Sequence, residues 1–300
     1  MSDKVDDILV MAGEANNRMS RYFVIVTCRN SQSEIENALL SLQNQTIQPS
    51  YVIVIDDGST DKTPAVLRKL QESWPSLYVM TNPDLGYDIG RVVSNWNLAI
   101  TFARENNRPE CDYHMIATDD TVYKPDYAEK ILMYMKEDDK VGVASGEYGD
   151  EKHITPHGAG RFIRTSFFDR LNLYPEKMGY ESAILHLCGF YGYTYNVFAD
   201  ARFEHIRPLG KNHHFSEFGA SMRTLGYHPL YVLGRTALYL ARGKPIGRLG
   251  AVYMLYHYLF FRAKRHGYYS LFDEKFRRAI KRQQGELIKR RLLGRKRNWK

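Results

Sequence analysis

Two acidic pairs, Asp56-Asp57 and Asp119-Asp120, follow continuous apolar runs, VIVI at 52–55 and MIA at 115–117. Carboxylates gathered at neighbouring strand ends make a negative pocket that is costly unless a divalent cation neutralises it. A hard cation such as Mg2+ or Mn2+ prefers such oxygen ligands, and one held by few protein groups keeps positions open for phosphate oxygens. A single pair is also the composition of a helix cap with a solvated turn. The second pair shifts the weight towards the cation. The sequence has no GxxxxGK[ST] loop, no GxGxxG after its first apolar run and no HExxH, which removes the common phosphate-loop, dinucleotide and zinc-protease alternatives. A metal-diphosphate site is what remains.

Such a site needs a scaffold that brings both pairs to one edge. Tyr22 to Cys28 (YFVIVTC) is a β-branched and aromatic run, the pattern of a strand buried on both faces. Ser33 with Glu36 forms a capping-box signature, and Ile35, Leu39 and Leu42 recur at helical spacing up to Gln48-Pro49. Tyr51 to Ile55 is a second strand, then Thr60 or Asp61 caps a helix with Pro64 in its first turn. Leu77 to Met80 is a third strand. Val92, Trp96, Ala99 and Ala103 mark a helix face, and Asp112 to Ala117 is a fourth strand. Beyond Pro125 the pattern predicts a helix, a strand at Val141 to Ala144, a Gly-rich stretch (Gly146 to Gly160), a helix from about Glu181 to Tyr191 and a strand at Tyr193 to Phe198. Phe203 to Pro208 then reads as a loop. Strands alternating with helices predict an α/β fold with a mostly parallel, Rossmann-like sheet, whose ligands bind beyond the carboxyl ends of its strands. Both acidic pairs fall at such ends.

Hydrophobic residues make up 44% of the 300 and charged residues 25%, which excludes a disordered chain. The net charge of +8 splits into +15 over residues 242–300 and −7 over the rest. The basic character therefore belongs to the tail alone. Cys28, Cys111 and Cys188 lie far apart and form no CxxC pair, so neither a disulfide framework nor a cysteine zinc site is indicated, and a reducing cytosol fits. The opening MSDKVDDILV carries acidic residues where a signal peptide needs positive charge, and no run reaches the roughly 20 apolar residues of a spanning helix.

In order along the chain, VIVTCRN (24–30), VIVIDDGSTDKT (52–63), NPDLGYDIGRVVSNWN (82–97), MIATDDTVYKPDY (115–127), MGYESAILHL (178–187) and FEHIRP (203–208) resemble an inverting family 2 glycosyltransferase of GT-A fold. The resemblance covers about residues 22–210. GYHPL (226–230) followed by amphipathic helices resembles a bacterial and archaeal subgroup of that family. It implies a polar lead-in at 1–20, a catalytic domain at 21–225 with a nucleotide-binding half (21–124) and an acceptor-binding half (125–225), and a basic helical tail at 226–300.

Carried over residue by residue, the resemblance implies that Thr27, Arg29, Asp56, Asp57, Arg91 and Asp119 make the nucleotide-sugar site. Asp57 would accept from a ring N–H of the base, Asp56 would shape the turn, and Arg91 would offer a basic contact to the nucleotide or its phosphates. Thr118-Asp119-Asp120 stands where the family has its DxD motif, with Asp120 as metal ligand and Asp119 taking over part of the ribose contact from the first position, here Thr118. Glu181 stands where the family has its catalytic Asp; a glutamate adds a methylene and can still act as base. A first-turn acid also favours a helix dipole. His205 is at a position from which such enzymes reach the metal or diphosphate, Arg207 is a phosphate contact, and His213-His214 lies in a loop able to close over donor. The implied cofactor is Mn2+ or Mg2+.

The expected activity is transfer of a sugar from a UDP- or GDP-linked donor to a hydroxyl of a lipid-linked or polymeric glycan, at the cytoplasmic face of the cell membrane. A polyprenyl-phosphate glycosyltransferase, whose phosphate acceptor needs little base, is the alternative within enzymology. Apolar faces at 230–241 and 249–261 followed by basic clusters fit a helix lying on anionic lipid, and equally a hairpin packed on the catalytic domain. A nucleic-acid-binding protein using the basic tail is the reading from another class. No RNP, KH or zinc-finger pattern accompanies the charge, and a −7 body would repel phosphate backbones. No nucleic acid is therefore expected as partner.

Overall fold

The computed structural model describes residues 20–149, 152–207, 215–244 and 246–292. The lead-in at 1–19, the His213-His214 pair and the last eight residues of the tail lie outside the described residues. An eight-stranded sheet carries the fold, in the order β3-β2-β1-β4-β7-β6-β8-β5. The first four strands are β1 (Tyr22–Cys28), β2 (Val52–Asp56), β3 (Leu77–Thr81) and β4 (Tyr113–Thr118). They pair in parallel through helices α1 (Ile35–Gln43), α2 (Thr63–Ser73) and α3 (Gly90–Glu105). Val24, Val26, Val52 and Val54 pack with Leu39 and Leu67 on one face, while Ile25, Ile53 and Ile55 pack with Val93 and Trp96 on the other. Successive strand residues point to opposite faces, so continuous β-branched runs are what a sheet covered on both sides requires.

Registry sets the ligand edge. Thr27 stands beside Ile55 and beside Thr118, and Cys28 beside Asp56, so the carboxyl ends of β1, β2 and β4 lie level. The second half contains β5 (Thr121–Tyr123), α4 (Tyr127–Glu137), β6 (Val141–Glu147), β7 (Arg161–Arg164), α5 (Thr165–Phe168), α6 (Tyr180–Phe190) and β8 (Thr194–His205). β6 and β8 are parallel, whereas β7 runs antiparallel to β4 and β6, and β5 antiparallel to β8.

Three local expectations are corrected. The Phe203 to Pro208 segment is not all loop: Phe203, Glu204 and His205 extend β8 because Tyr123, Val122 and Thr121 of β5 offer an edge to pair with. Directly after the Gly-rich stretch comes an unexpected strand, β7, whose RFIR is buried at its first three positions. Ser33 does not form the capping box: the N–H of Ile35 goes to the Ser31 carbonyl at 3.0 Å, and no side chain caps α1. At α2 the expected Asp61 does accept from the Thr63 N–H at 2.9 Å.

A helical layer follows, with α7 (Phe215–Thr224), α8 (Pro229–Arg242), α9 (Gly247–Phe260) and α10 (Glu274–Leu292). Met222 of α7, Val232 of α8 and Met254 and Tyr258 of α9 form one buried cluster. Phe276 and Ile280 of α10 pack with Leu225 and with Ala183 of α6. The hairpin reading of the tail therefore holds on one face. The other face leaves Leu249, Val252, Tyr253, Tyr256, Leu259 and Phe260 exposed. No helix among the described residues is long and apolar enough to cross a membrane.

Candidate active site

The nucleotide edge is built from the ends of β1 and β2. Asp57 lies just past β2, and its backbone N–H donates to the Cys28 carbonyl at 2.9 Å. Arg91, in the first turn of α3, grips the Asp57 carboxylate with both Nε and Nη2, at 3.0 to 3.2 Å. Asn95 and Asn82 donate to the same carboxylate at 3.3 and 3.4 Å. Burial pushes the Asp57 carboxyl up, but these hydrogen bonds outweigh it and hold the group below the usual carboxylate range. Asp57 is thus a fixed, ionised acceptor. Arg91 is engaged on Asp57 and orients that acceptor.

Arg29 donates to the carbonyls of Asp57 and Gly58 and pairs with Asp84 at 2.6 Å, which clamps the 57–58 turn to the 82–86 loop. Asp56 is fully buried, with one oxygen accepting from the Ser59 N–H at 3.0 Å. It shapes the turn from behind. The Thr27 hydroxyl is buried at the end of β1 without a hydrogen-bond partner among the described residues. A buried hydroxyl left unpaired is unfavourable, and it marks a place where a ligand group can complete the bonding.

The second acidic pair lies at the end of β4. Arg207 reaches both members, 2.7 Å from Asp119 Oδ1 and 3.2 Å from Asp120 Oδ2. Ser31 donates to the other Asp119 oxygen. His205 stands at the end of β8, its Nδ1 3.8 Å from Asp120 Oδ1 and 3.1 Å from the Thr121 hydroxyl. The β5–β8 pairing brings it there. Burial holds the Asp119 carboxyl above the usual range in spite of Arg207. Burial also acts on Asp120, but the His205 hydrogen bond and the Arg207 charge prevail and lower it. Asp120 and His205 offer an oxygen and a nitrogen ligand 3.8 Å apart, and the Arg207 guanidinium already holds positive charge between the two carboxylates.

Glu181 stands in the first turn of α6 and is exposed. The helix begins from Gly179 at φ 91°, a left-handed conformation that other residues rarely adopt. A Cβ placed on Gly158 would stand 3.0 Å from Glu181 Oε1, so the backbone at Gly158 passes directly against this carboxylate. Arg161 Nη1 donates to the Glu181 carbonyl at 3.3 Å.

A further group escaped the sequence reading. Glu147, His153 and His157 hold their ligand atoms within 4.8 Å of one another. The Tyr148 ring lies between this group and His205, with centroids 4.7 Å from His157 and 5.0 Å from His205. The His-x3-His spacing, with a glutamate six residues upstream, was the available signal. The structure thus gathers Thr27, Asp57, Asp119, Asp120, His205 and Arg207 along one edge. Arg29, Asp56 and Arg91 lie behind it as supports.

The signature of the family described as "Glycosyl transferase family 2" matches residues 23–190. An uncharacterized glycosyltransferase of Haemophilus influenzae is 29% identical over 126 residues, 42% of this chain and 35% of that protein. The hyaluronan synthase of Pasteurella multocida is 26% identical over 144 residues, 48% of this chain and 13% of the synthase. The match thus spans about a third and about an eighth of the lengths of these two relatives. Among solved structures, the mannosyltransferase PcManGT from Pyrobaculum calidifontis, in complex with GDP-Man and Mn2+, superposes with a TM-score of 0.58 at 17% identity, over 83% of this chain and 78% of that one. S. aureus TarS 1-349 in complex with UDP-GlcNAc superposes with a TM-score of 0.52 at 16% identity, over 80% and 71%. At such identities the likeness establishes a shared GT-A-like fold.

Proposed function

The chain belongs to glycosyl transferase family 2, and from that premise we propose that it moves a sugar, with inversion, from a UDP- or GDP-linked donor to a hydroxyl of a lipid-linked or polymeric glycan at a membrane surface. The observation that carries this reading is the level edge on which Asp57, Asp119 and Asp120 meet His205 and Arg207. Fixed acceptors for a base and a cation-compatible carboxylate pair are the two things a nucleoside diphosphate needs.

Asp57, ionised and held by Arg91, accepts from a ring N–H of the base, and the Thr27 hydroxyl supplies a further polar contact beside it. Asp120 and His205 would hold Mn2+ or Mg2+, with Asp119 beside them for the ribose. When bound, that ion neutralises charge on a departing diphosphate. PcManGT was solved with Mn2+ and GDP-Man, which supports a divalent ion and a nucleotide sugar here. Arg207 carries its charge to the same place and can exchange carboxylate oxygens for phosphate oxygens, as a guanidinium suits either. Glu181 accepts the proton of the attacking hydroxyl. Its exposure and its place against the bare backbone at Gly158 leave room for an acceptor. The exposed apolar face of α8 and α9, followed by the basic stretch, supports peripheral attachment to an anionic membrane. Division into a catalytic unit at 21–225 and a tail at 226–300 accompanies this reading.

A panel of nucleotide sugars with Mn2+ or Mg2+, scored by thermal shift and by release of nucleoside diphosphate, tests the proposal. One donor is expected to stabilise the protein selectively, since ligand binding to the native state raises its stability. A protein stabilised by no nucleotide sugar under either metal would overturn it.

A further inference from the structure

We propose that Glu147, His153 and His157 form a second metal site, of the zinc class, separate from the Asp119-Asp120 pair. Glu147 ends β6 and is only 4% exposed. Its Oε1 is approached by two imidazoles at once, His153 through Nδ1 and His157 through Nε2 at 3.2 Å. Its Oε2 accepts from the His153 N–H at 2.9 Å. A buried carboxylate is costly unless charge or several hydrogen bonds compensate it. Among the described residues its side-chain hydrogen-bond partners are two imidazoles and one amide, none a permanent cation. Three ligand atoms converging within 4.8 Å give a divalent ion the place to supply that charge.

The His157–Glu147 spacing and the ligand chemistry agree. Ligand atoms around a tetrahedral zinc lie about 3.4 Å apart, given metal–ligand bonds of roughly 2.1 Å. The 3.2 Å between His157 Nε2 and Glu147 Oε1 already matches this. Two imidazole nitrogens and one carboxylate suit Zn2+ with a fourth position open to water, whereas the Asp119-Asp120 pair offers the oxygen ligands that Mn2+ and Mg2+ prefer. Metal binding needs neutral imidazole and ionised carboxylate.

The site is also prearranged. The His157 N–H donates to Ser145 Oγ at 3.0 Å, and Arg161 donates through Nε and Nη2 to the carbonyls of His157 and Pro156, each at 3.0 Å. Tyr148 stacks on His153 with centroids 5.0 Å apart and meets His157 edge-on. These hydrogen bonds hold the backbone that carries His157, and the Tyr148 ring packs against both imidazoles. Because Gly158 lies directly against Glu181, a metal here pins the loop that walls the Glu181 carboxylate. The inference stands on these contacts and does not depend on the sugar-transfer reading.

The test is a titration of chelator-treated full-length Asp120→Asn protein with Co2+ and then Zn2+, the substitution serving to disable the hard-metal site. A single equivalent of Co2+ with the intense visible bands of a four-coordinate site, displaced by Zn2+, is the expected result. Adding His153→Ala, at a half-exposed position, or His157→Ala should remove the bands and weaken Zn2+ by more than about 100-fold, beyond what loss of an outer partner costs. Circular dichroism should stay unchanged in the His153→Ala protein. Absence of the bands, or bands that survive both histidine substitutions, would overturn the proposal.

Discussion

Arg207 bridges Asp119 and Asp120, its Nη2 2.7 Å from one carboxylate and its Nε 3.2 Å from the other. The guanidinium stands where the family reading puts a divalent ion, so the two cations compete for the same oxygens. Arg207→Ala should therefore tighten Mn2+ binding in the absence of nucleotide and weaken binding of nucleoside diphosphate, both readable by calorimetry. Asp120→Asn should abolish metal-dependent nucleotide binding. If Arg207→Ala leaves both affinities unchanged, the bridge has no part in donor binding.

Glu181 separates a hydroxyl acceptor from a phosphate acceptor. A hydroxyl must lose its proton as it attacks, whereas a phosphate oxygen is already ionised. Glu181→Gln should lower turnover by about 10²- to 10⁴-fold, the usual contribution of a general base, with donor affinity retained. Near-normal turnover would remove Glu181 as base and favour the polyprenyl-phosphate reading.

Asp57 and Arg91 make a half-buried bidentate pair, so their two substitutions should differ. Asp57→Ala removes the acceptor and should weaken donor binding more than it changes the metal requirement. Arg91→Ala leaves the carboxylate without its cation and should cost about 3 kcal/mol of folding stability by urea unfolding as well. Equal stability of Arg91→Ala and the unsubstituted protein would show that the two asparagines suffice.

The acidic pairs could be read from the sequence because each follows a run that only a doubly covered strand requires, and strand ends in such sheets face ligand. What could not be read is which side chains are used up by their neighbours. Arg91 looks like a phosphate contact until the fold lays it on Asp57, a pairing across 34 residues. His205 looks like a loop residue until β5 supplies an edge strand three residues long, too short to carry a periodic signal. Glu147, at the end of β6, meets His153 and His157 through contacts that no periodic pattern announces.

The outer face of α9 carries Leu249, Tyr253, Tyr256 and Phe260, all more than half exposed, within a stretch of the sequence whose net charge is +15. Each basic side chain near an anionic surface contributes about 1 kcal/mol, an attraction screened by salt. The protein should sediment with phosphatidylserine vesicles, less so at high salt and little with phosphatidylcholine. Replacing Leu249 and Phe260 by Ser should weaken sedimentation without altering circular dichroism. Unchanged sedimentation would move the contact away from this face.

Two enclosed histidines set the acid limit of the fold. His114 is buried and bonded to the Tyr174 hydroxyl at 2.6 Å, and burial holds it down to about 3. His186 of α6 meets the hydroxyl of Tyr227, in the connection between α7 and α8, at 2.8 Å, and burial holds it down to about 4. Both folded values lie below the unfolded one of about 6.5. As pH falls through 6.5 the unfolded chain takes up protons that the folded chain refuses, so stability is lost with acid and regained with base. The loss approaches about 1.4 kcal/mol per pH unit for each group until its folded value is reached. His157 adds with the same sign in metal-free protein. The lowered carboxyls of Asp57 and Asp120 lose their contribution only below about pH 4, and the raised carboxyl of Asp119 acts in the opposite sense. Between about pH 6.5 and 4.5 the histidines therefore dominate. Urea unfolding of chelator-treated protein across that window should show a steady fall in stability, shallower for His186→Gln. A flat profile would mean that both imidazoles take up protons while the fold stays intact.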